Sequence, residues 1–321
     1  MNHSIIFFIL GFNQKLIFDF LSKEFNPNKV VVFTSLPNLD FPKGVKVISI
    51  KDIALKPIKI IKLRNELNKI VRNINCVQVV YLPHVMNFLS NYFAFTKRIE
   101  CKKILTYDGI LNLTSTNKGI EKRWLKHQFF QFIKSCIVGI KYKFVFSKVT
   151  GEDVINFDQL IIPAGIKIIN SHVKNVRELD FKWKTIKSQD ENICLLLEQP
   201  FLNSNLDDYF NELTSLIKKE RLSRIVIKLH PQLQKSKIYE VLKERLSPDS
   251  MLIEIYSGNK SAEDLILDLG IGLLISTNST ALINCRIFYP NLKVVSLGLQ
   301  YSSNDVKNLT AIFDTYGVIV C

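Results

Sequence analysis

The stretch Arg224-Ile225-Val226-Ile227-Lys228-Leu229-His230-Pro231 decides the fold. Its β-branched run reads as a buried strand. Pro231 ends it, because proline has no N–H for a sheet ladder and forces its neighbour out of regular structure. Amphipathic segments flank it at 206–219 and 236–245, with apolar residues at helical spacing. Helix, strand, helix in succession is the pattern of an α/β domain with a parallel sheet.

Working outward, the same alternation runs through the chain. In the first half, β-branched and apolar runs predict strands at 5–10, 30–34, 45–50, 77–82, 103–107 and 144–146, with helices at 58–74 and 120–137. In the second half strands are expected at 193–197, 224–229, 251–255, 272–275 and 292–297. Helices are expected there at 206–219, 236–245, 262–269, 279–286 and 303–313. A charged, aperiodic stretch between Val173 and Glu191 separates the halves. The expected organisation is a first Rossmann-like domain at 1–175, a linker at 176–190 and a second Rossmann-like domain at 191–321, each large enough for its own core. Two open parallel sheets in sequence create an expectation of domains facing a cleft, with ligands at the carboxyl ends of the strands.

Bulk composition narrows the function. The 321 residues are 47% apolar and 22% charged, an ordinary globular balance. A formal charge of +14 implies an anionic partner: nucleic acid, an anionic membrane surface, or a phosphorylated or acidic substrate. No DNA- or RNA-binding motif is present, so the last two are favoured over nucleic acid. No GxGxxG follows the first strand, which disfavours a dinucleotide-dependent oxidoreductase. The six cysteines and five histidines are scattered, with no pair at metal-ligand spacing. The cysteines read as buried thiols of a reducing compartment, and no metal site is expected. The apolar start, Ile5 to Leu10, lacks a basic leader and a cleavage site, so it reads as a first strand of a cytoplasmic protein.

Three constellations carry chemistry. His230 stands at a strand's carboxyl end with Lys228 two residues earlier on the same face, a pairing suited to an anionic leaving group. Ser276-Thr277-Asn278-Ser279-Thr280-Ala281 closes a strand and opens a helix, offering hydroxyls and backbone N–H groups to a phosphate. Thr106-Tyr107-Asp108-Gly109 ends a strand of the first half and supplies a carboxylate able to take a proton from a hydroxyl. Taken singly, these read first as a surface histidine, a helix cap and a turn; their order along the chain shifts the balance. Further carboxylates, Asp207, Asp208, Glu263 and Asp264, stand at helix starts, where acids commonly complement the dipole.

In this order, Asp108-Gly109, Gln199-Pro200, Lys228-Leu229-His230-Pro231 and Ser276 to Ala281 resemble the bacterial GT-B-type sialyltransferases of lipooligosaccharide and capsule synthesis. The likeness spans roughly residues 100 to 285. It implies inverting, metal-independent transfer of sialic acid from CMP-sialic acid to a sugar hydroxyl, with galactose the expected acceptor and no cofactor. His230 then acts on the CMP phosphate, and Ser276, Thr277, Ser279 and Thr280 hold it. Glu263 grips the ribose, and Lys228 lines the nucleotide site with Gln199 and Pro231 beside it. Tyr107 occupies the place of the family's first acid, which leaves Asp108, beside Gly109, as base and Asp207 or Asp208 as competitors. The alternatives are a GT-B enzyme using another nucleotide sugar, and an inactive glycan-assembly protein at a membrane surface. Acceptors of such enzymes are often lipid-linked. The basic segment Glu121 to Lys126 is therefore expected to dock on the anionic inner membrane, making the protein peripheral there.

Overall fold

The computed structural model describes residues 3–37, 39–50, 57–72, 76–96, 100–113, 122–168, 171–181, 189–201, 206–230, 233–246, 251–303 and 305–321. The side chains of Pro57, Lys122 and Arg123 also stand outside this set. The chain forms two compact units, Met1–Phe181 and Lys182–Cys321.

The first unit runs β1 (Ile5–Ile9), α1 (Phe12–Leu21), β2 (Val30–Thr34), β3 (Lys46–Ser49), α2 (Pro57–Arg72), β4 (Val79–Leu82), α3 (Phe88–Phe95), β5 (Lys102–Thr106), α4 (Ile110–Leu113), α5 (Lys122–Val138), β6 (Gln159–Pro163) and β7 (Val176–Leu179). Among the described residues seven strands form one sheet in the order β3-β2-β1-β4-β5-β6-β7. Every pairing is parallel. The first strand shows why its sequence is continuously apolar. Phe7 packs edge-on against Phe18 of α1, with centroids 5.2 Å apart, while Phe8 stacks on Phe33 and meets Phe93 of α3. A strand covered on both faces has no solvent side to keep polar. Each such Phe stabilises the core by about 1.5–3 kcal/mol.

The second unit repeats the design: β8 (Asp190–Glu198), α6 (Asp207–Lys219), β9 (Arg224–Leu229), α7 (Lys237–Arg245), β10 (Leu252–Tyr256), α8 (Ala262–Leu269), β11 (Ile271–Ser276), α9 (Thr280–Phe288), β12 (Lys293–Ser296), α10 (Val306–Thr315) and β13 (Ile319–Val320). Its six strands run β10-β9-β8-β11-β12-β13, again all parallel. Helix α6 buries Tyr209, Phe210, Leu213 and Ile217, one face at helical spacing, in a cluster with Cys194 and Leu196 of β8. Helix α8 starts on a reciprocal cap between Ser261 and Asp264 and stops at Gly270, whose φ of 63° lies in the left-handed region.

Several expectations are corrected. Residues 144–146 are not a strand. The alternation from Lys141 to Phe146 has period two, but its backbone bonds side-chain amides instead of a ladder. Asn91 exchanges two hydrogen bonds with Lys143, and Gln128 two with Val145. Residues 176–179 of the expected linker form β7, an edge strand on β6, and its charges misread as linker composition. Arg177 pairs there with Glu24 at 2.9 Å. Residues 182–188 lie outside the described set. Strands β6 and β13 and helices α1, α3 and α4 had no counterpart in the sequence reading, because short apolar segments carry too few periods to classify. The cysteines were expected to be buried, yet only Cys194 and Cys285 are. Cys136 and Cys321 are exposed, and all six are free thiols.

Candidate active site

In each sheet the order reverses direction beside its first strand, between β1 and β4 and again between β8 and β11. The carboxyl ends around such a switch point are where open α/β sheets bind ligands.

In the first unit three segments converge at these ends. After β1, Gly11 leads into α1 and places Gln14 in its first turn. Pro83 and His84 follow β4, and Tyr107 and Asp108 follow β5. The Gln14 amide donates to Asp108 Oδ1 at 2.7 Å and to the Tyr107 carbonyl at 2.9 Å. Both partners are acceptors, so the amide can point only one way. Gly109 adopts φ 82°, which turns the chain into α4, and the Asn112 side chain then accepts the Asp108 backbone N–H. His84 Nδ1 accepts the Met86 N–H at 3.1 Å, so its proton sits on Nε2, which faces Asp108 Oδ2 at 3.9 Å.

Burial dominates the electrostatics here. It raises the Asp108 carboxyl to about 7, with Gln14 pulling the other way. Burial, aided by the field of His127, lowers His84 to about 4, so the imidazole is neutral and gives the carboxylate no charge partner. A carboxyl raised to that range can exchange a proton near neutral pH. Tyr107 is fully buried in the core.

In the second unit the organising residue is Glu198, which the sequence reading passed over. It ends β8 and is buried. Its carboxylate accepts from the Ser236 hydroxyl at 2.5 Å and from the backbone N–H groups of Lys237 and Ile238 at 2.9 and 3.2 Å, where α7 begins. Its carbonyl accepts the His230 N–H at 3.0 Å. One residue thus holds both ends of the segment carrying His230. Burial raises the Glu198 carboxyl against the lowering effect of those donors.

His230 itself is half-buried, and burial lowers its imidazole below the ordinary histidine value. Pro231 lies outside the described residues. Gln199, next to Glu198, is half-buried. Lys228 lies in register with Tyr256, its Nζ 5.3 Å from that ring's centroid. Burial lowers the Lys228 ammonium, while Glu263 and then Asp264 raise it. Glu263 is buried on α8, where burial raises its carboxyl and Asn284 of α9 donates to it at 2.9 Å. Lys228 and Glu263 are thus brought into one electrostatic neighbourhood from strand and helix.

The Ser/Thr segment divides in two. Ser276 is buried and gives its hydroxyl proton to the Leu197 carbonyl at 2.9 Å, so that proton ties β11 to β8. Thr277 is buried too, with its carbonyl accepting from the Ser296 hydroxyl. Ser279 caps α9, accepting the Ala281 N–H at 3.3 Å, and Thr280 opens that helix. Ser279 and Thr280 thus stand at the positive end of α9, the end of a helix that attracts anions. Asp207 and Asp208 open α6 as exposed residues, and Asp207 pairs with Arg245 at 3.5 Å.

Gln14, His84 and Glu198 escaped the sequence reading. A strand followed by Pro83-His84 is a signal comparable to the one at 229–231. Nothing local marks Gln14 or Glu198.

The two sheets define the class: a GT-B-like fold of two Rossmann-like, parallel-sheet domains. No family model matches the chain, and no curated protein matches its sequence. Its structure is similar to the UDP-GlcNAc 2-epimerase of Neisseria meningitidis bound to UDP-GlcNAc, with a TM-score of 0.50 and 11% identity over 98% of this chain and 91% of that one. MurG of Acinetobacter baumannii gives a TM-score of 0.47 and 11% identity, covering 99% and 86%. The spinosyn rhamnosyltransferase SpnG complexed with thymidine diphosphate gives 0.48 and 9%, covering 99% and 86%.

Proposed function

We propose that the protein is a glycosyltransferase, and specifically an inverting, metal-independent sialyltransferase using CMP-sialic acid on a sugar hydroxyl of a bacterial surface glycan. The observation that carries the reading is Asp108, a strand-end carboxylate held by Gln14 and raised by burial to about 7. In this scheme Asp108 takes the proton of the acceptor hydroxyl as its oxygen bonds to the anomeric carbon. The bond from that carbon to the CMP phosphate breaks, and its electron pair leaves on the phosphate. The start of α9, with Ser279 and Thr280, and Lys228 hold the phosphate. Glu263 receives the ribose hydroxyls, and the His230 imidazole donates to the departing phosphate oxygen. His230 is neutral before the donor arrives, and the incoming dianion raises it toward the protonated form.

Nucleotide preference tests the donor. CMP at saturating concentration is expected to raise the unfolding midpoint by several degrees while UDP and GDP leave it unchanged, since binding to the native state alone stabilises it. The reverse preference would move the assignment to another nucleotide sugar. Replacing His230 by Ala is expected to slow transfer to a galactose-terminated acceptor by about 100-fold or more, the usual scale for losing a positioned proton donor. Transfer at the parent rate would remove His230 from the mechanism. A protein that turns over no acceptor at all would be the inactive assembly protein.

A further inference from the structure

Helix α5 is inside out. Its inward positions are Gln128, Gln131, Ser135 and Val138, spaced three or four residues apart, and three of the four are polar. Each polar one is bonded. Gln128 exchanges two hydrogen bonds with Val145, Gln131 accepts the Phe88 N–H at 3.1 Å, and Ser135 donates to the Phe132 carbonyl. The outward positions carry Leu125, Phe129, Phe130, Phe132, Ile133 and Ile137, all exposed, Phe129 by 54% and Phe130 by 52%. The patch continues beyond the helix: Phe132 meets the Phe144 ring at 5.6 Å, and Phe144 stacks on Phe146, which is 61% exposed. Isolated exposed apolar residues are ordinary, but a continuous aromatic face opposite a polar buried one marks an interaction surface.

Its charge selects the partner. From Lys122 to Gly151 the chain holds seven Lys or Arg and no Asp or Glu. Lys126, Lys141 and Lys143 are exposed on or beside the aromatic face, and Lys134 is half-buried on the helix. Aromatic side chains rimmed by cations, with no acid among them, are the chemistry of a helix lying in the headgroup layer of an anionic bilayer. Among the described residues no helix is long and apolar enough to cross a membrane.

We propose that α5 and the adjoining 141–146 segment dock the protein on an anionic lipid surface. The face overlaps the basic segment singled out in the sequence at Leu125 and Lys126 and extends well beyond it; Glu121 is outside the described residues. The face is also tied to the candidate site. Gln131 bonds the start of α3, and Asn91 of α3 bonds both the Val85 carbonyl, next to His84, and Lys143. Docking would thus bring a bilayer close in structure to the Asp108 end of the first unit, suiting an acceptor carried on a lipid. That last point rests on the transferase reading, whereas the docking itself does not.

The test is co-sedimentation of the full chain with phosphatidylcholine vesicles, with and without phosphatidylglycerol, at low and high salt. Binding is expected only with the anionic lipid, and weaker at high salt. The Phe129→Ser, Phe130→Ser double variant is expected to bind about tenfold or more weakly. A Lys126→Gln, Lys134→Gln variant is expected to bind about thirtyfold more weakly. Both variants should keep the parent circular dichroism spectrum and the parent rate on a soluble acceptor, which separates docking from catalysis. Equal binding to neutral and anionic vesicles would overturn the proposal. So would absence of vesicle binding with a concentration-dependent dimer lost in the phenylalanine variant, which would assign the face to a second copy of the chain.

Discussion

Replacing Asp108 by Asn is expected to abolish transfer and, at the same time, to make the protein more stable at pH 8. The asparagine keeps the shape of the side chain and an oxygen for the Gln14 amide, which donates to Asp108 at 2.7 Å in the parent. What it lacks is the ability to take a proton. Loss of a positioned base costs about 100- to 10,000-fold in rate. Stability moves the other way for a reason that can be signed. The folded carboxyl is raised to about 7, mainly by burial, so the native state binds the proton more tightly than the unfolded chain does. Native stability therefore falls as pH rises from the ordinary carboxylate range to about 7, and stays lowered above it. The burden is at most on the order of 4 kcal/mol, and Asn removes it; a gain of about 2 kcal/mol is expected at pH 8 because the side chain retains some access to water. Below pH 4 the difference should vanish. The same titration predicts a parent transfer rate that falls about tenfold per pH unit below neutrality. Rate profiles and unfolding midpoints of parent and variant across pH check both halves. A variant that loses activity and stability together would show that Asp108 serves packing instead of proton transfer.

The second large effect lies at Glu198. Replacing it with Ala leaves the Ser236 hydroxyl and the N–H groups of Lys237 and Ile238 without the carboxylate that accepts them in a buried setting. Unsatisfied buried donors cost about 1–3 kcal/mol each, partly relieved where water enters. A net loss of about 3 kcal/mol is expected, lowering the unfolding midpoint of the second unit by on the order of 10 °C. Gln at the same position keeps an oxygen for the two backbone donors and an amide facing a hydroxyl that can turn to accept, so it should lose only about 1 kcal/mol. Calorimetry on the two variants separates capping from charge. If Ala and Gln proved equally mild, the segment carrying His230 would have to be held by something other than Glu198.

Some of this was legible along the chain. The run from Arg224 to Leu229 forms β9 with the bounds that its apolar content and the following proline imply. Helix α8 has the bounds expected of it, Ala262–Leu269. Such features are local, because a cap, a breaker and a hydrophobic period act within a few residues. The failure at 144–146 is also instructive. A period of two describes how side chains alternate along an extended backbone, and says nothing of whether a strand or a pair of amide side chains receives its hydrogen bonds. Likewise β7 is charged because it is an edge, and edges resemble linkers in composition.

By itself, then, the linear chain determined the α/β class, the division into two parallel-sheet halves and the strand-end position of Asp108 and His230. All of these follow from short-range periodicity and chain stereochemistry. Only the tertiary structure decided what surrounds those groups. Gln14 reaches Asp108 across 94 positions because β1 lies in the middle of the sheet. Glu198 meets the start of α7 because β8 and β9 are neighbours. Burial, which sets the basicity of Asp108, exists only once those strands are packed. The outward aromatic face of α5 belongs to the same category: its amphipathic period was visible, but which side would be inside was fixed by where Gln128 and Gln131 found their backbone partners.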